Sequence, residues 1–337
     1  MKKALSLILA LTLAFACMST ACAEEAFDSF GAYEHVVIIG IDGAGAAFEK
    51  CDTPNFDRIF EQNAFTHKSV TEYVTVSAQN WGSILTGVTY DMHGLDNDVT
   101  GKQQRTSDTQ YKTIFYYARQ AFPNEKLVSF CHWSNINYGI IENDLHVHKV
   151  NRASDALVAE SIVSYFRRGN APKLMFVQFD DVDHAAHTYG GFSDEYYAAI
   201  EKVDVYLGDI YDAIDDRDLM QNSLFIVVAD HGETAGGHGG QTPEESSAVL
   251  AVAGHSVNKT VLSEGVHNRD VASIALYALG IEQPDSFVSQ VPDDLFGESR
   301  TKAIGENPLC CNDRAKRDFL YFLLHLVNLF VRPFDAR

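Results

Sequence analysis

Apolar runs of strand length recur along the chain, and three of them end in an aspartate. The segments HVVIIGID, KLMFVQFD and SLFIVVAD end at Asp42, Asp180 and Asp230. Each run is continuously hydrophobic instead of alternating between apolar and polar positions, which is typical of strands buried on both faces of a sheet. We therefore predict that the three runs are adjacent strands of one sheet. Their predicted bounds are 36–41, 174–179 and 224–229.

Segments with the periodicity of amphipathic helices lie between these runs. After Ser193, apolar residues recur at steps of three and four as far as Ile214, and two acids follow the serine, as at many helix starts. A second segment begins in the same way at Ser154 and ends in Arg167 and Arg168, which suit a helix C-terminus. Strands that alternate with helices predict an α/β domain with a mostly parallel central sheet and helices on both faces.

The first 23 residues have the composition of a signal peptide. Lys2 and Lys3 precede an apolar run, and the segment ACA at 21–23 then offers a small-residue cleavage site. We therefore expect an exported protein, periplasmic or extracellular. A lipoprotein acylated at Cys17 or Cys22 is an alternative, although neither cysteine follows a leucine-type lipobox.

The composition changes again beyond residue 297. A polar segment leads to a nearly continuous apolar run at 319–331, which at 13 residues is shorter than the roughly 20 that span a bilayer. This run is predicted to be either a buried terminal helix or a peripheral membrane contact. The predicted organisation is a signal peptide at 1–23, one domain at 24–297 and a tail at 298–337.

Composition and charge exclude several classes of protein. With 46% hydrophobic and 21% charged residues, the chain has the composition of a globular domain and not of a disordered or collagen-like one. Its formal net charge of -20 at pH 7 repels nucleic-acid backbones, so a nucleic-acid polymer is not an expected partner. A small anionic substrate would need a local source of positive charge. The oligomeric state stays open.

Cysteine is not expected to supply that charge through a bound metal. Outside the leader the chain has Cys51, Cys131, Cys310 and Cys311, and none of them belongs to a zinc-type CxxC motif. In an oxidising compartment these cysteines allow one or two disulfides, whose pairing the sequence leaves open.

Acids and imidazoles follow the predicted strands in two short segments. DVDHAAHTYG contains Asp183 and His187 at a spacing of four, so both can face one way as a helix begins, and ADHGETAGGHGG contains Asp230, His231 and His238. The ligand site of an open α/β sheet lies beyond the carboxyl ends of its strands, so these segments and the aspartate after the first strand meet at one rim. Asp and His are usual ligands of zinc-like ions, and paired ions are common in phosphoryl chemistry.

Each of these pieces alone has a simpler interpretation. An Asp-His pair is commonly a capped turn with an exposed imidazole, and an acid at the end of a strand often caps the next helix. Asp180, Asp181 and His184 are assigned to that class. The coincidence of acids and imidazoles at three strand ends favours metal ligands for the others.

Seven motifs occur in the order in which a known superfamily carries them. They are IIGIDGAG, TPNFDRIFEQNAFT, SAQNWGSILTG, DHAAHTYG, ADHGETAGGHGG, NRDVASIALYALGI and VPDDLF. From residue 36 to residue 296 the chain resembles the alkaline phosphatase superfamily, and within it the type I phosphodiesterase/nucleotide pyrophosphatase branch. The resemblance implies an alkaline-phosphatase-like α/β sandwich, a catalytic domain over 24–297, a small phosphate-ester substrate and two divalent metal ions, zinc first with manganese as the alternative.

The resemblance also implies two metal sites that share the segment ADHGETAGGHGG. The ligands of one ion would be the nucleophile hydroxyl with Asp42, Asp230 and His231. The ligands of the other would be Asp183, His187 and His238. His267 is the competing imidazole for the last position, and we favour His238 because it follows the Asp-His pair at short range in a flexible loop.

The segment TVSAQNWGSILTG contains the nucleophile that the resemblance implies. Ser77 falls at the position of the nucleophilic hydroxyl, and Asn80 at that of an amide that contacts a nonbridging phosphate oxygen. Coordination to a dication lowers the pKa of an alcohol, and a helix that starts at Ser77 would bring phosphate oxygens to free N–H groups. Thr75 is the alternative nucleophile, because side chains two apart share a face of an extended segment. Gln79 stands where the branch often has proline.

The predicted function is that of an exported two-metal phosphoesterase that hydrolyses phosphodiesters or nucleotide-like esters through Ser77. A diester is favoured over a monoester because of Asn80 and because no arginine lies near Ser77. A sulfatase is not expected, since CDTPN lacks the Cys-x-Pro-x-Arg element. A phosphomonoesterase and an envelope phosphoryl or phosphoalcohol transferase are alternatives on the same site. An inactive metal-binding module is the alternative of another class, and the presence of every predicted ligand argues against it.

Overall fold

An eight-stranded sheet forms the centre of the protein, of which a computed structural model describes residues 29–297. The predicted leader at 1–23 and the tail at 298–337, with its apolar run, lie outside the described residues. Within residues 29–297, no helix is both long enough and apolar enough to cross a membrane.

The order of the strands confirms the predicted neighbours. The strands are β1 (His35–Ile41), β2 (Ala64–Val70), β3 (Leu127–Cys131), β4 (His148–Asn151), β5 (Leu174–Phe179), β6 (Ser223–Ala229), β7 (Ser247–Ala253) and β8 (Thr260–Val261). They lie side by side in the order β4-β3-β5-β1-β6-β7-β2-β8. β1 runs parallel to both β5 and β6. β7 is antiparallel to β6 and to β2, so the sheet is mixed with a mostly parallel centre.

Helices fill the connections between the strands. They are α1 (Pro54–Phe60), α2 (Ser77–Thr86), α3 (Tyr90–His93), α4 (Asn97–Lys102), α5 (Ile114–Ala121), α6 (Asp155–Arg167), α7 (Asp181–Tyr189), α8 (Asp194–Asp215), α9 (Pro243–Ser246) and α10 (Val271–Ala278). Shorter helical segments, three of the 3-10 type and a π-helix, are Ala47–Lys50, Met220–Asn222, Asn268–Asp270 and Ile136–Ile140. Ser154 and Ser193 cap α6 and α8 through their side chains, which confirms both predicted helix starts.

The sheet carries a hydrophobic core on each face. Val36 and Ile38 of β1 belong to a cluster that includes side chains of α2, α5 and α10. Val37 and Ile39 belong to a second cluster with side chains of α1, α6 and α8. Successive side chains of a strand point to opposite faces, so a strand covered on both sides is apolar at nearly every position. This arrangement explains the continuous hydrophobic runs and confirms the helices on both faces.

The carboxyl ends of three parallel strands lie together at one rim of the sheet. The last residue of β1 pairs with the last residues of β5 and β6. Asp42, Asp180 and Asp230 are the residues that directly follow these strands. The register of the sheet alone therefore places the backbones of the three aspartates at neighbouring positions.

A close approach at Gly40 fixes the helix that starts beside this rim. A Cβ atom at Gly40 would lie 2.4 Å from Cη2 of Trp81 on α2, so glycine is needed to leave room for the indole. The Nε1–H of Trp81 donates a hydrogen bond to Asp42 Oδ2 at 2.8 Å. The packing of α2 on the sheet thereby sets the position of one rim carboxylate.

We expect Gly40→Ala to destabilise the fold by about 1–3 kcal/mol, because the added methyl group overpacks the contact with Trp81. Urea denaturation measures the change in the free energy of unfolding. Gly236→Ala is the control, since a Cβ atom there would have no neighbour closer than 3.8 Å. The control should change stability by no more than about 0.5 kcal/mol. Equal stability of the two variants would contradict the tight packing at Gly40.

Candidate metal centre

The four side chains predicted for the first metal ion meet at the rim of the sheet. His231 Nε2 lies 3.5 Å from Asp42 Oδ1 and 3.4 Å from Asp230 Oδ2. Ser77, the first residue of α2, places its Oγ 3.4 Å from Asp42 Oδ1 and 3.4 Å from His231 Nε2. All four residues are buried. The ligand atoms of the two acids and the imidazole lie within 4.8 Å of one another, close enough to hold one ion.

The three side chains predicted for the second ion also meet, beside the first group. Asp183 lies between two imidazoles, with Oδ1 3.4 Å from His238 Nε2 and Oδ2 3.4 Å from His187 Nε2. The two Nε2 atoms are 3.0 Å apart. The rings of His231 and His238 stack with their centroids 4.0 Å apart, so the two groups form one centre.

His267, the competing imidazole, lies elsewhere. It caps the short helix Asn268–Asp270, and its backbone N–H donates to the Asp270 carboxylate at 2.7 Å. Burial lowers the pKa of its side chain to about 4. Within residues 29–297 it belongs to none of the groups that could hold a metal ion, which agrees with the choice of His238.

The buried acids of this centre lack the partners that a carboxylate needs. Asp183 Oδ1 and Asp230 Oδ2 are buried and accept no hydrogen bond from the described residues. Burial, and after it the charge of neighbouring carboxylates, raises the pKa of Asp42 well above its usual value, and burial does the same for Asp230. A buried charge is costly unless it is paired or coordinates a metal. A cation between these oxygens and the facing imidazole nitrogens would satisfy all of them, so the donor set fits divalent metal ions.

Backbone contacts orient both imidazoles toward the centre. His231 Nδ1 lies 3.1 Å from the carbonyl oxygen of Gly232, and His238 Nδ1 lies 2.6 Å from that of Thr75. A histidine that donates through Nδ1 to a carbonyl keeps Nε2 free to bind a metal, and such outer contacts tune the affinity of the site.

Thr75 is part of this support and does not compete with Ser77 for the role of nucleophile. Its hydroxyl oxygen accepts from the Gly239 N–H at 2.9 Å and donates to the Gly240 carbonyl at 3.0 Å. Together with the contact to His238, these bonds fasten the glycine loop to the segment that precedes α2. The hydroxyl of Thr75 therefore faces the loop, whereas that of Ser77 faces the acids and the imidazole of the first group.

Asn80 does not lie where its predicted contact with phosphate requires it. The side chain is fully buried, and its Oδ1 accepts from the Glu72 N–H and from Asn268 Nδ2 at 2.9 and 3.2 Å. Its Nδ2 donates to the carbonyl oxygens of Val74 and Val76. Every hydrogen-bonding group of the amide is used within the protein. The predicted contact is corrected on this ground, and Asn80 instead braces the turn before α2.

Glu233 belongs to the centre, although the sequence analysis did not identify it. Its carboxylate shares a group with Asp183, His231 and His238 in which the ligand atoms lie within 4.8 Å of one another. Glu233 is 1% exposed, and neither of its side-chain oxygens has a hydrogen-bond partner among the described residues. Burial, followed by the charge of Asp183, raises its pKa to about 10. An acid in the loop segment DHGE has no periodicity that would mark it as facing inward.

Asn97 is the second residue that the sequence analysis did not identify. Its side-chain oxygen accepts a hydrogen bond from the Ala78 N–H at 3.0 Å, so the amide lies beside Ser77. The side chain of Asn97 is exposed and available to a ligand, unlike that of Asn80. Only the fold brings the start of α4 against the start of α2, so no sequence spacing could have indicated this position.

A third group of acids and an imidazole has a structural role. The ligand atoms of His132, Asp155 and Asp181 lie within 4.8 Å of one another. Both carboxylate oxygens of Asp155 are occupied by backbone N–H groups at the start of α7, those of Asp180 and Asp181, at 2.8 and 2.9 Å. His132 Nδ1 lies 2.9 Å from the same carboxylate. Asp155 therefore anchors the helix that carries Asp183, which agrees with the assignment of Asp180 and Asp181 to a helix start.

One protein family and several known proteins have sequences similar to this chain. A sequence model of the family described as type I phosphodiesterase/nucleotide pyrophosphatase matches residues 36–302. GPI ethanolamine phosphate transferase 1 of Saccharomyces cerevisiae is 26% identical over 139 residues, which are 35% of this chain and 15% of that protein. An uncharacterized pyrophosphatase/phosphodiesterase of Schizosaccharomyces pombe is 21% identical over 222 residues, 58% of this chain and 44% of that protein. The matched region is thus less than half the length of either relative.

Solved structures of two other proteins share the fold. Murine ectonucleotide pyrophosphatase/phosphodiesterase 5 in complex with AMP superposes with a TM-score of 0.63 at 14% identity, over 78% of this chain and 100% of that one. The lipoteichoic acid synthase LtaP of Listeria monocytogenes superposes with a TM-score of 0.59 at 12% identity, over 78% of this chain and 76% of that one. At these identities the likeness shows the fold alone, and it confirms the predicted α/β sandwich.

We expect His238→Ala to lower the metal content of the purified protein from about two ions per chain to about one, because the substitution removes one ligand of a paired site. Elemental analysis by mass spectrometry measures the ions per chain. His267→Ala is the matched control, since it removes an imidazole outside both groups and should leave the metal content unchanged. Loss of metal in the control, with none in His238→Ala, would transfer the ligand role to His267.

Proposed function

Since this chain belongs to the type I phosphodiesterase/nucleotide pyrophosphatase family, we propose that it hydrolyses phosphodiesters or nucleotide-like phosphate esters with a serine nucleophile and bound divalent metal ions. The observation that carries the proposal is the position of the Ser77 hydroxyl, 3.4 Å from both Asp42 and His231. A hydroxyl among metal-ligand side chains is the arrangement that activates an alcohol for attack on phosphorus. Family membership and the transferase relatives both support chemistry at a phosphate ester.

Two divalent ions are proposed, zinc first with manganese as the alternative. The first would be held by the Ser77 hydroxyl with Asp42, Asp230 and His231. The second would be held by Asp183, His187 and His238, with Glu233 as a further carboxylate on its buried side. When bound, such ions supply Lewis-acid activation and positive charge for the phosphate oxygens. This charge is what a chain of net charge -20 lacks for an anionic substrate.

Ser77 Oγ is the atom that we assign to the attack on phosphorus. The bond from Oγ to phosphorus forms as the bond to the departing alcohol breaks, and the serine proton passes through solvent to that alcohol. The intermediate keeps the other ester group of the substrate on its phosphorus, and water then cleaves the bond between phosphorus and Oγ, which releases a phosphomonoester and restores the hydroxyl. The N-terminus of α2 favours the negative charge of the phosphate. The exposed amide of Asn97 is assigned to a nonbridging phosphate oxygen, in the role first predicted for Asn80.

Transfer to an alcohol acceptor is the second candidate function. It is favoured by the similarity to a protein named as a GPI ethanolamine phosphate transferase. Both reactions use the same phosphate ester of Ser77, which keeps one ester group of the substrate, and they differ in whether water or an alcohol cleaves it. An exported location is proposed for either activity, with the run at 319–331 as a peripheral membrane contact. A phosphomonoesterase on the same site is the remaining alternative.

We expect Ser77→Ala to reduce kcat by about a thousandfold or more, as for other enzymes that lose their nucleophile. Metal content should fall little, because two acids and an imidazole of the first group remain. Turnover of a chromogenic phosphodiester and the ions per chain are the two measurements. Ser223→Ala is the matched control, since it removes a buried serine hydroxyl at the start of β6. Turnover at the wild-type rate in Ser77→Ala would show that the nucleophile lies elsewhere.

A panel of phosphate diesters, phosphate monoesters and sulfate esters tests the substrate class, with zinc or manganese supplied. We expect the highest kcat/KM for a diester or a nucleotide-like ester. Addition of ethanolamine or glycerol separates the two candidate reactions, because a transferase converts the acceptor into a new phosphodiester or phosphomonoester that product analysis detects. A marked preference for sulfate, or no turnover of any phosphate ester, would contradict the proposal.

A further inference from the structure

A cleft of about 890 Å³ lies between α6 and the β3–β4 edge of the sheet. Its floor includes Val128 and Phe130 of β3, and its walls include Leu157 and Tyr165 of α6. The lining extends to residues 123–126, which precede β3. They lie at the amino ends of the parallel strands, whereas the metal centre lies at the carboxyl ends. No residue of the metal centre lines this cleft, so it is a separate cavity.

The lining is cationic in a chain that is otherwise rich in acids. The whole chain has 46 Asp and Glu against 26 Lys and Arg. Glu125 and Glu160 are the acids of the lining. The Lys and Arg residues of the lining are Arg119, Lys126, Arg152 and Arg168. Four positive charges less two negative ones leave a formal excess of two, with histidine neutral.

Among residues 29–297, none of these four cations forms an ion pair with an acid. The ion pairs of Lys and Arg within the described residues are formed by Arg58, Lys102 and Arg269, all outside the cleft. Because acids outnumber bases, a surface cation in this chain meets a carboxylate more readily than in an average protein. Four unpaired cations in one cleft therefore indicate a place for an external anion.

Several donors of these side chains remain free. The guanidinium of Arg168 makes no hydrogen bond to any described residue, and that of Arg152 uses two nitrogens, on Ser161 Oγ and the Asn151 carbonyl, and leaves the third. Lys126 Nζ donates one hydrogen bond, at 2.7 Å, to Asn170. Arg119 differs, because all three nitrogens of its guanidinium donate to backbone carbonyls. It therefore holds one wall of the cleft in place and contributes positive charge.

The cleft also has an apolar part. The rings of Phe130 and Tyr165 are in edge contact, with centroids 5.8 Å apart. The hydroxyl of Tyr165 is buried and has no hydrogen-bond partner among the described residues. Burial raises the pKa of Tyr165 to about 12, which keeps the hydroxyl protonated as a donor. The apolar surface of these rings suits a ligand with an apolar body.

We propose that this cleft binds an organic phosphate of nucleotide size, at a site distinct from the metal centre. A terminal phosphate carries about two negative charges at neutral pH, equal to the formal excess of the lining. Guanidinium groups pair with phosphate oxygens in a fixed geometry, which suits Arg152 and Arg168. The cavity volume falls in the range of ligand pockets, about 300–1,000 Å³. The inference does not rest on the proposed catalytic activity.

The test measures binding of fluorescent N-methylanthraniloyl-ADP to the full-length metal-loaded Ser77→Ala protein, in which turnover is blocked. The further substitutions Arg152→Ala and Arg168→Ala should raise the Kd of the probe for the cleft by about tenfold or more, since each charge-assisted hydrogen bond contributes strongly. The matched control adds Arg167→Ala and Lys202→Ala, which remove the same charge outside the cleft and should leave binding unchanged. Thermal unfolding of each protein confirms that it is folded.

Hydrogen exchange locates the bound probe. We expect ADP to protect residues 122–130 and 146–152 in the Ser77→Ala protein and in the control, and not in the cleft variant. Protection confined to residues 227–240 would place the probe at the metal centre alone and overturn the proposal. Equal binding by the cleft variant and the control would also overturn it. If the catalytic proposal fails while this one holds, the probe protects the cleft and does not protect residues 227–240.

Discussion

Buried carboxyl groups at the rim of the sheet are the constraint on which the rest of the site depends. Asp42, Asp183, Asp230 and Glu233 lie close together there, and no Lys or Arg of the described residues forms an ion pair with them. Ionisation of such a group without a nearby cation costs on the order of several kcal/mol, and burial accordingly raises the pKa of Asp42, Asp230 and Glu233. The parallel register of β1 with β6 fixes the positions of Asp42 and Asp230, which directly follow these strands. Metal binding therefore contributes to the stability of this part of the fold.

Burial on both faces made the central strands predictable, because it favours an apolar residue at nearly every position of β1, β5 and β6. The spacing of Asp183 and His187 was equally informative, since four residues return to the same face of a helix. The role of Asn80 could not be predicted in this way. Its side-chain oxygen accepts from the backbone of Glu72 and from Asn268, and Asn268 lies far along the chain. Glu233 lies in a glycine loop without periodicity, and only the tertiary packing decides that it faces inward.

One helix, α6, runs from the carboxyl ends of the parallel strands to their amino ends. α6 begins at Asp155, whose carboxylate anchors the start of α7 and so the position of Asp183. It is followed at its other end by Arg168, which lines the cationic cleft. An acid at the N-terminus and a base at the C-terminus both favour the helix dipole. The charges that stabilise α6 as a helix thus also take part in two sites, the metal centre through Asp155 and the proposed cleft through Arg168.

The hydrogen bond between Trp81 and Asp42 has a practical consequence. The chain contains two tryptophans, and the indole of Trp81 is buried with its N–H directed at a rim carboxylate. Neutralisation of that carboxylate by a cation changes the electric field at the ring, and the emission of an indole depends on this field. The protein therefore contains its own optical reporter of charge at the rim, readable in real time without a label, a chromogenic ester or a reconstituted activity.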